Sequence, residues 1–462
     1  MKKFEQFQDM IGRLYPETII TNNASDRRTL SRTVTFQVTD ECNLCCTYCY
    51  QINKGKRKMK FEDAKKLIDM LLTGDERLGN YIDASTSPGI IIEFIGGEPF
   101  LCVDLIDQIC TYFYDKAIEL MHPWATKFCI SICSNGVLYF EPKVQKFLNK
   151  WRHNLSFSIT IDGNKALHDA CRVFPDGTGS YDVAVAGARD WISRGYYMGS
   201  KITIAPGNVQ HLFSAIKHMV ELGYKDINAN VVYEKGWTLD HAKIYYEQLK
   251  MLADYWLEND LADDHFMALF ENDFFKPKEE TDVENWCGGT GFMLAMDPDG
   301  WLYPCIRYME SSLGTSREPL RIGHVNFGIA QRKCDKQCVE CLNKIDRRTE
   351  SSDECFYCPI AEGCSWCSAY NYQENGTPDS RCTYICDMHK TRSLANAYFW
   401  NKWYRKKHWK QRFKIYCPDE WAIPIIGEEE LDMLKELKQS GIKLAVLSNK
   451  AQNACLLYTS DA

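Results

Sequence analysis

Twenty-two cysteines in a chain of 462 residues constrain this fold more than any other feature. Disulfide-stapled scaffolds are short secreted domains, whereas a chain of this length buries a large core without staples. The cysteines are also grouped: Cys42, Cys45, Cys46 and Cys49 stand together, and a long series runs from Cys287 to Cys386. Grouped thiols in a large chain point to metal or cluster ligation. The first residues, MKKFEQFQDMIGRLYP, lack the apolar centre of a signal peptide. No apolar run approaches the ~18 residues of a membrane helix. The chain therefore reads as cytoplasmic, with reduced thiols and no membrane partner. A net charge of −7 disfavours nucleic acid, which calls for a basic surface.

The region from Thr33 to Glu234 alternates between two periodicities. Thr33 to Asp40 (TVTFQVTD) is a β-rich run ending directly in CNLCCTYCY, and Gly89 to Ile95 (GIIIEFI) is a second such run. KFCISICSNG, LSFSITIDG, GSKITIAPGN and INANVVYE supply four more. Between them Phe61, Ala64, Leu67, Ile68, Leu71 and Leu72 recur at helical spacing, as do Ile106, Ile109, Cys110, Phe113 and Ala117. Strands alternating with helices predict βαβ units, a parallel sheet and an α/β fold of the partial (β/α)6, TIM-type barrel kind. The expected organisation is an N-terminal segment 1–32, a core 33–235, a helical connector 236–285, a cysteine-rich domain 286–390, an extension 391–450 and a tail 451–462. Within the connector, Asp240 to Asn259 is the clearest helix. The ending CLLYTSDA reads as translated non-coding or adapter sequence.

Cys42, Cys46 and Cys49 form CxxxCxxC at the C-terminal end of the first strand, the end at which α/β barrels carry their chemistry. A [4Fe–4S] cluster is normally held by four thiolates; three leave one iron open to a ligand. On spacing alone a zinc knuckle or core cysteines remain alternatives. With Tyr48 before the last cysteine, the motif resembles the signature of the radical S-adenosylmethionine (SAM) enzymes. In that family the open iron chelates the amino and carboxylate groups of SAM, which is cleaved to a 5′-deoxyadenosyl radical. The resemblance extends to GGEP after the second strand (Gly96, Gly97, Glu98), to Ser134 and Asn135 after the third, to Thr160 and Asp162 after the fourth, and to Arg172 in LHDACR. It implies that Tyr48 and these residues contact SAM. Cys45 falls outside the pattern.

Downstream, Cys287 is followed by GGTGFMLAMDPDGWLYPC, in which Asp299-Gly300 signals a two-residue hairpin that returns Cys305 toward Cys287. Cys355-x2-Cys358-x5-Cys364-x2-Cys367 and Cys386 follow. This series resembles the SPASM domain, the auxiliary-cluster module of peptide-modifying radical SAM enzymes. That resemblance implies auxiliary cluster I on Cys287, Cys305 and Cys367; of Cys334, Cys338 and Cys341, Cys341 is the candidate to complete it, the alternative being an open iron that binds a substrate thiolate. It implies cluster II on Cys355, Cys358, Cys364 and Cys386, the last preferred to Cys382. CxxC pairs also hold zinc, so a non-catalytic zinc-binding adaptor is the rival of another class.

Segments including IEFIGGEP, HDACRVFPDGTGSYD, NWCGGTGFMLAMDPDG and DECFYCPIAEGCSWCSAYNYQ resemble the radical SAM peptide maturases associated with CXXX-repeat targets. The resemblance implies three [4Fe–4S] clusters, SAM, a cysteine-rich precursor peptide, and an electron donor such as flavodoxin or ferredoxin. It implies Cys thioether crosslinks, with carbon–carbon crosslinking or sulfatase-maturase-like oxidation as alternatives. Sulfatase maturases carry an aspartate just after the hairpin cysteine, where this chain has Ile306 and then Arg307. The aromatic and basic run Phe399 to Lys414 reads as an amphipathic helix with its aromatics on the core, the alternative being a site for an acidic leader peptide. LKQSGIKLAVLSNK, with Ser448 and Asn449, resembles the second motif of haloacid dehalogenase-type phosphatases, but no nucleophilic aspartate motif of that family precedes it.

Overall fold

A computed structural model describes residues 32–79, 81, 87–271, 275–283, 287–313, 317–409 and 424–425. The readings of residues 1–31, of Cys417 and Cys455, of Ser448 and Asn449, and of the tail lie outside the described residues.

Strands β1 (Arg32–Gln37), β2 (Ile90–Ile95), β3 (Phe128–Ser134) and β4 (Leu155–Ile159) lie side by side in chain order, all parallel. Gln37 stands opposite Ile95, Phe94 opposite Ile132 and Ser134 opposite Ile159. β1 is buried along nearly all its length, as its unbroken run of Val, Phe and Thr requires. β2 alternates, burying Ile90, Ile92 and Phe94. Helices Phe61–Thr73, Val103–Glu119 and Pro142–Trp151 make the crossovers and bury the expected faces, among them Leu67 and Ile68, Ile109 and Phe113, and Leu148 and Trp151. Parallel pairing brings the C-terminal ends of all four strands to one edge, so the residues that follow each strand become neighbours.

Beyond β4 the expected strands pair apart from this sheet. β5 (Ile202–Ile204) pairs in parallel with β7 (Ala229–Val231), while β6 (Asp226–Ile227) pairs with β8 (Phe266–Met267). Among the described residues no ladder joins β4 to β5. The expected sixth strand is split at Asn228, whose backbone N–H donates to Ser200 Oγ at 2.8 Å instead of to a ladder. The connector also differs from the reading. Its helix spans Leu239–Glu258, ending at Asn259 and Asp260, and Asp260 takes the left-handed conformation (φ 54). The chain then forms β8.

The free side of β1 is filled by the cysteine-rich region. β9 (Met293–Met296) pairs with β1 in parallel, and β10 (Trp301–Tyr303), β11 (Gly323–His324) and β12 (Gly328–Ile329) extend the sheet to eight strands. The β9–β10 hairpin exists, but its loop is longer than two residues. Met296 pairs with Leu302, and Asp297 to Gly300 form the connection. A two-residue turn of the Asp-Gly kind needs positive φ at both central residues; here only Gly300 has it (φ 87). Pro298 fixes the second position of an ordinary turn, and Asp297 Oδ1 accepts from the N–H groups of Asp299 and Trp301.

Helix Cys386–Lys406 packs along Leu239–Glu258. Phe399 is 1% exposed and stacks on Phe270 at 4.4 Å between centroids. Lys402, Lys406 and Lys407 pair with Asp254, Asp260 and Asp263 at 2.7–2.8 Å. The described part of the aromatic and basic run is thus an amphipathic helix whose cations meet this chain's own acids. Burial rather than ion pairing should hold it. Phe399→Ala is expected to cost about 3–5 kcal/mol in urea unfolding, and Lys402→Ala, at a half-exposed pair, less than about 1 kcal/mol. Equal losses would contradict that ranking.

Candidate functional site

Beyond β1 the chain runs through Val38, Thr39 and Asp40 into the first cysteine group. Asp40 is 3% exposed and receives Gln37 Nε2 at 2.8 Å and Arg57 Nε at 2.6 Å. Burial pushes its carboxyl above the ordinary range while Arg57 pulls it back. Arg57 also reaches Asp299 of the β9–β10 connection at 2.7 Å. The root of the cysteine loop is therefore tied to the cysteine-rich region.

The loop is held from two further sides. Gly97 N–H donates to the Thr39 carbonyl at 3.0 Å and Glu98 N–H to the Glu41 carbonyl at 2.8 Å. A methyl group at Gly97 would overlap the Glu41 carbonyl and lie 2.7 Å from Cys42 Cβ, so only glycine permits this approach. On the other side, Cys45 N–H donates to the Val173 carbonyl at 2.8 Å and Thr47 N–H to the Cys171 carbonyl at 2.9 Å. The GGEP turn and the LHDACR segment thus grip the cysteine loop between them.

Cys42, Cys46 and Cys49 are half-buried. Burial raises the Cys42 and Cys46 thiols; Lys54 pulls both back, and Arg172 also pulls back Cys46. Leu44 N–H points at Cys42 Sγ at 3.5 Å, and Arg172 Nη1 lies 3.9 Å from Cys46 Sγ. Such donors stabilise sulfur that carries negative charge.

Glu98 is 1% exposed and its carboxylate is occupied: Oε1 accepts from Phe100 N–H at 3.1 Å and Ser134 Oγ at 2.8 Å, and Oε2 from Asn135 N–H at 2.8 Å. It braces the end of β2 against the end of β3. The Asn135 amide donates to Asn43 Oδ1 at 2.7 Å inside the cysteine loop. Asp162 Oδ2 accepts from Arg172 Nε at 2.8 Å and from the Tyr48 hydroxyl, and the Arg172 guanidinium lies 5.3 Å above the Tyr48 ring. Asp162 Oδ1 is buried without a partner among the described residues. Thr160 Oγ1 meets Cys133 Sγ at 3.2 Å. Burial lowers the His168 ring to about 4, so it is neutral near pH 7. Its Nδ1 accepts from Asp162 N–H at 3.4 Å while Nε2 faces Ser180 Oγ at 3.1 Å.

The later cysteines form two groups. Cys287, Cys305 and Cys367 converge: a methyl at Gly289 would lie 3.6 Å from both Cys287 Sγ and Cys305 Sγ, and Ser368 Oγ meets Cys287 Sγ at 3.1 Å. Burial, followed by Cys287, pushes Cys367 up to about 11, and Cys305 higher still with Cys367 and Cys287 adding to it. Cys355, Cys358, Cys364 and Cys386 lie in one another's field, and burial raises Cys364 to about 11 and Cys386 to about 12. Arg381 Nη2 donates to Cys364 Sγ at 3.1 Å, and its Nη1 faces the buried Glu350 at 3.5 Å. Cys382 is turned toward Glu374 and Asn375. Cys341 lies with Cys334 and Cys338 on helix Lys333–Asn343, near Asp379 and Lys344. Among the described residues no three of His, Cys, Asp or Glu stand close enough to ligate a single ion.

Sequence reasoning passed over Asp40, Asn43, Arg57 and Arg381. Arg381 stands beside Cys382 in the sequence, but only folding shows that it serves Cys364. The grip of Gly97 on the loop is testable: Gly97→Ala must displace the Glu41–Cys42 backbone, at about 1–3 kcal/mol. In metal-free protein, alkylation of Cys42, Cys46 and Cys49 should accelerate relative to Cys287 and Cys364. Unchanged relative rates would show that the contact does not hold the loop.

No protein-family model matches the chain. It is 29% identical over 200 residues to the uncharacterized protein MJ0907 of Methanocaldococcus jannaschii, covering 43% of this chain and 62% of that protein. It is 22% identical over 305 residues to the antilisterial bacteriocin subtilosin biosynthesis protein AlbA of Bacillus subtilis, covering 64% and 59%. It is 22% identical over 335 residues to a serine-type anaerobic sulfatase-maturating enzyme of Klebsiella aerogenes, covering 66% and 75%. The chain thus spans less than two thirds of the first two of these relatives. Among solved structures, anSMEcpe with bound AdoMet superposes with a TM-score of 0.53 at 16% identity, over 79% of this chain and 96% of that one. Streptococcus suis SuiB bound to its precursor peptide SuiA superposes with a TM-score of 0.52 at 13% identity, over 81% and 78%. The chain is thus similar in sequence to AlbA and to an anaerobic sulfatase-maturating enzyme, and it shares its fold with anSMEcpe and SuiB.

Proposed function

We propose that this chain is a radical SAM enzyme that matures a ribosomally synthesised, cysteine-rich precursor peptide by forming thioether bonds. The observation that carries the reading is the convergence of three cysteine groups, the first gripped at the edge where β1 to β4 end. The donor set fits iron–sulfur clusters: a four-iron core takes one thiolate per iron and accepts ligands spread around a larger body than one zinc ion does. Cys42, Cys46 and Cys49 would hold the SAM-binding cluster. Cys287, Cys305 and Cys367 would hold auxiliary cluster I, and Cys355, Cys358, Cys364 and Cys386 cluster II. Held by Cys42, Cys46 and Cys49, the first cluster would supply the electron for reductive cleavage of SAM.

The chain's own part is to bind, orient and exclude water. Gly96, Gly97, Ser134, Asn135 and Thr160 form the SAM-facing edge. Glu98 acts there as a brace, because its oxygens are already occupied. Asp162 Oδ1 is the open buried acceptor, held in place by Tyr48 and Arg172. A thioether needs a hydrogen atom removed from the acceptor carbon, a proton from the thiol and one further electron, a net loss of two hydrogens per bond. The cysteine groups beyond Cys287 are where the chain would hold the centre that accepts that electron. We read residues 33–235 as a partial barrel and 286–390 as a SPASM domain, in a cytoplasmic enzyme reduced by a flavodoxin or ferredoxin.

Sulfatase-maturase-like oxidation is favoured by the relatives' names. Against it stands the uncharged Ile306 after Cys305, where those enzymes carry a base. Anaerobic enzyme, dithionite, SAM and a CXXX-repeat peptide are expected to give a product 2 Da lighter per crosslink, with matching loss of alkylatable thiols. A product with every thiol still alkylatable, or an aldehyde trapped by a hydrazide, would overturn the thioether reading. Iron and sulfide analysis should approach about twelve irons per chain; zinc alone would favour the adaptor.

A further inference from the structure

Each of the three cysteine groups assigned above to a cluster has an arginine beside it, and one of these arginines behaves differently. Arg172 and Arg381 point at sulfur, at 3.9 Å from Cys46 Sγ and 3.1 Å from Cys364 Sγ, and their carboxylate partners Asp162 and Glu350 are buried. Arg307 makes no hydrogen bond to sulfur among the described residues. Its side chain is 25% exposed and its carboxylate partner, Glu234, is 46% exposed, with Nη2 donating to Glu234 Oε1 at 3.0 Å.

The position of Arg307 is also singular. It lies on the short turn Ile306–Tyr308 directly after Cys305, and its field reaches Cys305 and Cys367. Its guanidinium stands 5.7 Å above the ring of Tyr50, the residue after Cys49, whose hydroxyl lies in the field of Cys49, Glu93 and Cys133. The guanidinium therefore touches the residue that follows the first cysteine group and carries its charge toward the second. Of its five N–H donors only Nη2 has a protein partner among the described residues. A half-exposed ion pair contributes about 0–1 kcal/mol, so an entering anion displaces Glu234 cheaply.

We propose that Arg307, with Tyr50 and Glu234, forms a subsite that binds the thiolate of a substrate cysteine between the first and second cysteine groups. The proposal rests on the peptide-maturase reading. A free thiol is mostly protonated near neutral pH, and a fixed guanidinium favours its reactive thiolate form. Arg307 is a specificity and positioning residue. Where sulfatase maturases place an anionic base beside the hairpin cysteine, this chain offers a cation.

The test uses anaerobic, cluster-loaded enzyme without SAM, and anisotropy of fluorescein-labelled synthetic peptides of Cys-Ser-Gly-Ala repeats with Ser-for-Cys and Asp-for-Cys counterparts. Wild type should prefer the cysteine peptide. Arg307→Gln should weaken that peptide roughly tenfold while leaving the serine peptide unchanged, and Arg307→Lys should restore most of the preference. Equal binding of cysteine and serine peptides by wild type, no binding of either included, overturns the subsite. So does an equal loss of both in Arg307→Gln, the result for an arginine that only balances Cys305 and Cys367. An aspartate peptide bound as tightly as the cysteine peptide overturns the thiolate assignment. Product analysis separates the two readings. Unmodified thiols with an intact Arg307-dependent preference sink the thioether reading alone, whereas thioethers formed by Arg307→Gln at wild-type KM sink the subsite alone.

Discussion

The approach of the Gly97 backbone to the Glu41–Cys42 peptide is the contact on which the rest of the site depends. It is possible only because β1 and β2 are parallel and in register to their last residues, Gln37 against Ile95. It leaves no room for a side chain. Once that contact is made, the cysteine loop has one place to lie, and the segment Cys171–Val173 closes over its other side. Glu98 and Asp162 then lock the neighbouring strand ends, one through three hydrogen bonds and the other through Tyr48 and Arg172. The loop is irregular but it is not free, because regular elements contact it on both sides.

Charge is handled by the same economy in all three cysteine groups. Burial disfavours the thiolate form, which is the form that ligates metal. Each group is met by one arginine, always charged and able to donate several hydrogen bonds. Arg172 and Arg381 are held by buried acids and turned inward to sulfur. Arg307 is held by an exposed acid and is itself partly exposed. That difference in orientation, rather than any difference in residue type, separates an internal counter-charge from one available to a ligand.

Most of the regular structure could be read from the chain. All six early strand signals coincide with observed strands, because runs such as IIIEFI and TVTFQ carry their burial pattern locally. The motif residues after each strand converge as their positions in βαβ units imply. What escaped the reading depends on partners distant in sequence. β1 pairs with β9 about 260 residues later, so the cysteine-rich region shares the central sheet. The hairpin loop is set by Pro298 and by Asp297 as acceptor, which override the Asp-Gly signal. The occupation of the Glu98 carboxylate by Phe100, Ser134 and Asn135 also depends on strand neighbours.

By itself the sequence determined the periodicities, the parallel sheet they imply, and the spacing of the cysteines, since each is a property of nearby residues and of the backbone's repeat. Only the tertiary structure decided which thiols share a site, which side chains are already occupied by their neighbours, and which arginine remains open. Those outcomes follow from strand order, helix rotation and burial, and such long-range packing brings together residues that no local pattern connects.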